Sequence, residues 1–296
     1  MEKIFCLLVL AVCAANAGTL PDSRIIGGSA AGANEFPYAV SIQQVSQTGQ
    51  YQRGHRCGGV LISPQHVLTT ASCTDNPFTD PPSVIVPSEY RVFAGAVNLT
   101  LDNPDRIRMI VNITRHPAYT GAPMYVNDIA VLHLNGPFNT TIVTPLSIPH
   151  ESFRPAEGAE CVTAGWGGQN ISATASVTQM FARKAITNQK ICTALYSVEN
   201  GPNILPSMVC AAPFDRPSSG CFGDFGNGLV CNGGLTGILS LITNCQENSF
   251  PEVYTRVANY TTWIRNVTAG ASSIQPGLAA LVLFTLVQLI TVKVIC

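Results

Sequence analysis

Residues 221–231 read Cys221-Phe-Gly-Asp-Phe-Gly-Asn-Gly-Leu-Val-Cys231, a short glycine-rich loop with one acid, Asp224, bracketed by two cysteines. Such a loop could present a nucleophile, but its centre is Phe225. A phenyl ring has no proton to give up and no lone pair with which to attack a carbonyl. The candidates for a general base are five histidines: His55, His66, His116, His133 and His150. For each of them a structural or solvated role is the stronger reading. A metal site is not expected, because no cysteine pair has C-x-x-C spacing and no histidine cluster accompanies them. No cofactor is expected either.

The elements that must position this loop are strands. The chain has 296 residues, enough for one large all-β domain or two small barrels sharing a cleft. Short β-branched runs, Val84-Ile-Val86 and Ile107-Arg-Met-Ile-Val-Asn-Ile113, are bounded by turn residues. There is no internal repeat. Charged residues make up 11%, the formal net charge is −1, and no basic run occurs, which argues against nucleic acid as a partner. Of 11 cysteines, Cys6 and Cys13 lie in the leader and Cys296 ends the chain, leaving an even set of eight in the domain. That points to disulfides in an oxidising compartment, with the pairing left open by the sequence itself.

The loop resembles the C-x-G-D-S-G-G-P-L-V-C pattern of chymotrypsin-like (trypsin-like) serine proteases. Cys221, Gly223, Asp224, Gly226, Leu229 and Cys231 match it, and Phe225 stands at its serine. Val67-Leu-Thr-Thr-Ala-Ser-Cys73 resembles the family's T-A-A-H-C segment, with Ser72 at the histidine. Asn127-Asp-Ile-Ala-Val-Leu132 resembles D-I-A-L-L, with Asp128 as the aspartate. Further matches follow in the family's order: Arg24-Ile-Ile-Gly-Gly28, Cys57-Gly-Gly-Val-Leu-Ile62, Ala164-Gly-Trp-Gly167, Val253-Tyr-Thr-Arg256 and Tyr260-Thr-Thr-Trp-Ile264. They cover residues 25 to about 267.

The resemblance implies an all-β fold of two six-stranded antiparallel β-barrels with a short C-terminal helix. It implies disulfides Cys57–Cys73, Cys161–Cys231, Cys192–Cys210 and Cys221–Cys245. It implies cleavage after Arg24, freeing an Ile25 ammonium for Asp224, and it places His55 in support of the loop near Asp224 in the uncleaved form. The primary specificity pocket would have Ser219 at its base, with Ile242 and Glu252 where the family has glycine on the walls. Ile242 and Glu252 remove room, and Phe225 at the mouth favours a filled pocket. Asn227 and Gly228 replace the family's Gly and Pro, so the loop after Phe225 need not keep its usual shape.

Residues 1–17 read as a signal peptide ending in Ala15-Asn-Ala17, and residues 18–24 as a propeptide. Sequons occur at Asn98, Asn112, Asn139, Asn170, Asn259 and Asn266, suggesting a glycosylated surface. Residues 268–296 end in a predominantly apolar run, Gly277 to Cys296, interrupted by Gln288 and Lys293. The run is long enough to span a bilayer, but no basic flank follows it. This suits replacement by a glycosylphosphatidylinositol anchor ahead of a retained transmembrane tail.

Triad chemistry needs nucleophile and base together; Asp128 alone orients an imidazole that is absent. The expectation is therefore a catalytically inactive homologue on the outer face of the plasma membrane. It would act by binding a protein ligand, as decoy, scaffold or regulator, the ligand being a protease, an inhibitor or a surface partner. The alternative is a serine-type endopeptidase with residual or altered hydrolase activity.

Overall fold

A computed structural model describes residues 27–270 apart from 50–52, 77–78, 80–81, 101–102, 169–174, 199–200, 244 and 246–249. Arg24, Ile25, the sequon Asn170, the leader and propeptide, and residues 271–296 lie outside the described residues.

Six strands form the first barrel: β2 (Ala39–Gln44), β3 (His55–Ser63), β4 (His66–Thr69), β5 (Tyr90–Ala94), β6 (Ile107–Arg115) and β7 (Ala130–Leu134). It closes in the order β2-β3-β4-β7-β6-β5. The second barrel comprises β8 (Glu160–Gly165), β9 (Met180–Ile186), β10 (Met208–Pro213), β11 (Gly228–Cys231), β12 (Gly234–Leu241) and β13 (Glu252–Arg256). Their order is β9-β10-β13-β12-β11-β8, and β8 pairs back with β9 to close the ring. A two-residue strand, β1 (Ser29–Ala30), pairs with β9. All of these pairings are antiparallel. Helix α1 (Gln189–Val198) precedes β10, and α2 (Thr261–Gly270) follows β13. The two barrels and the C-terminal helix agree with the sequence reading.

Closure hides strand faces that an open sheet would leave wet, so β2 and β7 are buried along nearly their whole length. One apolar cluster joins the barrels: Val60, Leu68 and Phe93 from the first meet Trp166, Leu235 and Ile238 of the second, with Ile264 of α2. The run at Val84–Val86 is not a strand, as the sequence suggests it should be. Val84 makes a single bridge to Asp75, and the chain then enters a 3-10 turn at Pro87. Pro82 and Pro87 flank the run, and a proline cannot donate to a ladder.

The four disulfides join the pairs that the resemblance implied. Cys161 and Cys231 are direct register partners on β8 and β11. Cys57–Cys73 pins β3 to the turn that carries Ser72, and Cys221–Cys245 closes the loop that carries Phe225. Bridges over loops of this size are worth about 2–4 kcal/mol each and belong to an oxidising compartment.

Candidate functional site

Ser72 and Asp128 come together because β4 and β7 are paired. Thr69 faces Ala130, so the residue opening the 3-10 turn after β4 lies beside the one leading into β7. The Asp128 carboxylate accepts from the Ser72 backbone N–H at 2.7 Å, the Ser72 hydroxyl at 2.9 Å and the Ser240 hydroxyl at 2.6 Å. Thr255 donates to the Asp128 carbonyl at 2.7 Å. Asp128 is completely buried. Burial raises its pKa to about 6, against the opposing pull of Ser240 and Ser72. This is a satisfied structural carboxylate. Both serines spend their protons on it, and neither gains a base.

No described histidine supplies the missing imidazole. His55 lies under the 221–231 loop, its Nε2–H donating to the Gly223 carbonyl at 2.9 Å while Nδ1 accepts from the Ser41 hydroxyl at 2.7 Å. Burial pushes its pKa down to about 4, so the ring is neutral and this tautomer follows from the carbonyl partner. It supports the loop through Gly223, where the resemblance placed it near Asp224. His116 packs edge-on to Tyr260 at 5.3 Å and tilted against Trp263 at 5.2 Å, which ties its turn to the C-terminal helix. His66 and His133 face each other across β4 and β7 at 5.1 Å, held by Ser63 and Thr114. His150 bonds to Ser152 on the surface. Among the described residues no group of three or more acids, cysteines and histidines could hold a metal ion.

Phe225 is half-buried and packs on the first barrel's core, edge-on to Phe222 at 6.4 Å, and Phe222 is 53% exposed. Its carbonyl accepts from Gly58 N–H at 2.8 Å, tying the loop to β3. Gly223 and Gly226 adopt φ of +94° and +86°, a region that favours glycine. The sequence reading leaves the loop free to change shape after Phe225; in the structure Asn227 fixes it. The Asn227 side chain is buried between two glycines, where a Cβ on Gly58 or Gly165 would come within 1.7 or 2.0 Å of it. Its amide donates to Asp224 Oδ1 at 2.9 Å, joining the Gly167 N–H at 2.9 Å and the Cys221 N–H at 3.0 Å. Desolvation nevertheless lifts the Asp224 pKa to about 7. Asp224's expected partner, Ile25, lies outside the described residues, though Gly27 packs so tightly that a Cβ would meet the Pro217 carbonyl at 1.8 Å.

The pocket positions converge on a group that sequence reasoning missed. Ser219 is buried, its hydroxyl donating to the Gly220 carbonyl at 3.0 Å, and Ile242 packs on the second barrel's core. Glu252 is buried at the start of β13 and takes the Lys184 ammonium at 2.8 Å. Lys184 also donates to the Ser218 carbonyl at 2.9 Å. The signal was legible in β9: strand alternation puts Lys184 on the same inward face as Met180, Ala182 and Ile186. A lysine at such a position needs a buried acid.

Of the described sequons, Asn112, Asn139, Asn259 and Asn266 are exposed, while Asn98 is half-buried and accepts from both Thr100 groups. No helix among the described residues is long and apolar enough to cross a membrane.

The Trypsin family model matches residues 25–264. The chain is 33% identical to human Granzyme M over 266 residues, covering 88% of this chain and 96% of that protein. It is 31% identical to pig Trypsin over 252 residues, covering 84% and 97%. Among solved structures it is similar to human heparin binding protein, with a TM-score of 0.67 and 29% identity over 86% of this chain and 98% of that one.

Proposed function

Because the chain belongs to the trypsin family, yet carries Phe225 and Ser72 where that family's motifs have serine and histidine, we propose that it acts by binding a protein and not by hydrolysis. The observation that carries this reading is the state of Asp128: its carboxylate is satisfied by Ser72 and Ser240, with no imidazole to orient. Loss of nucleophile or base from such a triad costs on the order of 10⁶ in turnover. The partner is a protease, a protease inhibitor or another surface protein. One similar structure is named for heparin binding, but a chain with net charge −1 and no basic run is poorly suited to a polyanion.

Four disulfides in a trypsin-like fold belong to the secretory pathway and the cell exterior. The apolar run 277–296 is read as a signal for a glycosylphosphatidylinositol anchor, which would hold the domain at the plasma membrane. Cleavage after Arg24 is retained in this reading as a switch of loop shape. Asp224 and Glu252 are both buried, the described ammonium of Lys184 is paired with Glu252, and an Ile25 ammonium would supply a charge for Asp224.

The test is hydrolysis by the full-length protein, before and after trypsin treatment and removal of trypsin. Peptide thioesters should be turned over at background rate, and a serine-directed phosphonate should leave the chain unlabelled. Turnover that co-purifies with this chain refutes the reading in favour of residual hydrolase activity.

A further inference from the structure

We infer that Lys184 is a built-in occupant of the former specificity pocket, its ammonium lying where a basic side chain from outside would otherwise be held. The inference deepens the binding reading: with this position taken from within, the partner meets the outer surface of the cleft and inserts no side chain here.

Lys184 is one of the largest fully buried side chains of the domain. It enters from β9, behind the pocket, and its Nζ bridges Glu252 Oε1 at 2.8 Å and the Ser218 carbonyl at 2.9 Å. Ser218 precedes the pocket base Ser219, and Glu252 is the pocket wall, so the ammonium lies between base and wall. Glu252 is saturated from several sides: Oε1 also accepts from Gly220 N–H at 2.6 Å, and Oε2 takes the Tyr254 hydroxyl. An open pocket meant for a cation needs an acid aimed into free space; here the acid is already neutralised. Neither charge persists alone in this setting, because an unpaired buried ion is far costlier than the pair. The other acid nearby is Asp224. A Cβ on Gly220 would lie 3.4 Å from Glu252 Oε1 and 3.6 Å from the Asp224 Cβ, so one glycine separates the two carboxylates.

The ligand class of the plugged site follows from the plug. It is a primary ammonium or amidinium on a short apolar stem, admitted only when Lys184 is shortened. The experiment uses the full-length chain and p-aminobenzamidine, whose fluorescence rises on burial. Wild type should show no saturable rise. Lys184→Ala should gain affinity by about tenfold or more, and Lys184→Ala with Glu252→Gln should lose that gain.

A second measurement needs no variant. Lys184 and Lys190 are the two lysines between residues 25 and 267, and Lys190 is exposed. Acetic anhydride should modify Lys190 and spare Lys184 by about tenfold or more in rate on the folded protein. The inference is overturned if wild type binds the amidine as well as Lys184→Ala does, or if folded Lys184→Ala gains nothing. It is also overturned if Lys184 is acetylated as fast as Lys190. Peptidase turnover would defeat the binding reading and leave these readouts where they stand.

Discussion

The Asp224 carboxylate gives the sharpest quantitative test. Burial lifts it from an ordinary 3.8 to about 7, although Cys221, Gly167 and Asn227 all donate to it. Its folded pKa is raised, so the folded state holds the proton more tightly than the unfolded chain. Stability from this group is full below the unfolded pKa and is lost as pH rises through the folded one. Between pH 5 and 8 the loss integrates to roughly 2–3 kcal/mol. Asp128, raised to about 6 by burial, loses in the same direction by about 1 kcal/mol over that window. His55 runs the other way. Its folded pKa is depressed to about 4, so stability returns as the unfolded chain gives up its proton, by about 2 kcal/mol. The total profile is therefore shallow, and the informative quantity is a difference between variants.

Asp224→Asn keeps an acceptor oxygen for the loop donors and removes the titration. Urea unfolding of the uncleaved chain, disulfides intact, should be followed from pH 5 to 8 for both proteins. Wild type should lose roughly 2–3 kcal/mol relative to Asp224→Asn across the window, most of it above pH 5.5. A difference that is flat with pH, or that grows in favour of wild type as pH rises, would refute a buried, uncompensated carboxylate. After cleavage at Arg24 an ammonium partner would pull the Asp224 pKa down, and the pH-dependent loss should shrink. Uncleaved and cleaved chains then differ in the size of one measured slope, which makes the proposed switch visible without knowing the partner.

Three further outcomes are expected. Asn227→Gly removes one donor from Asp224 and leaves a gap between Gly58 and Gly165; it should cost about 1–3 kcal/mol in urea unfolding, and a neutral result would mean that the loop is held elsewhere. The double change Ser72→His with Phe225→Ser returns a nucleophile and a base to Asp128, yet hydrolysis after lysine or arginine should stay at background while Lys184 holds Glu252; efficient cleavage there would show that the pocket is open. Phosphatidylinositol-specific phospholipase C should release the protein from intact cells, and recovery of Cys296 in the mature chain would establish a transmembrane tail instead.

How much of this was legible in the sequence depends on the range of the interaction. The nucleophile loop, the Ser72 turn and the Asp128 segment are local strings, and a short motif shows its missing group directly. The all-β class was legible in short β-branched runs bounded by turn residues and the two six-stranded barrels through the family resemblance, although Val84–Val86 imitates a strand run. Its prolines end the ladder after one bridge, a fact that β-branched composition does not register. Asn227 misled for a different reason. Read as a substitution of glycine it suggests a loosened loop, but its amide finds an acid three residues back and two glycines that leave it room.

Lys184 and Glu252 are 68 positions apart, and neither lies in a matched motif that assigns a partner to it. Each is nonetheless marked by its strand. A lysine in phase with Met180, Ala182 and Ile186, and a glutamate opening a buried strand, are two charges that the pleat sends inward. An inward lysine is too costly to bury alone and so calls for a buried acid, but with Asp224 also buried nearby it is the fold that selects Glu252 as the partner. A buried lysine matched to a buried glutamate needs two compatible residues at distant positions, so a change at either one alone leaves a buried charge unpaired.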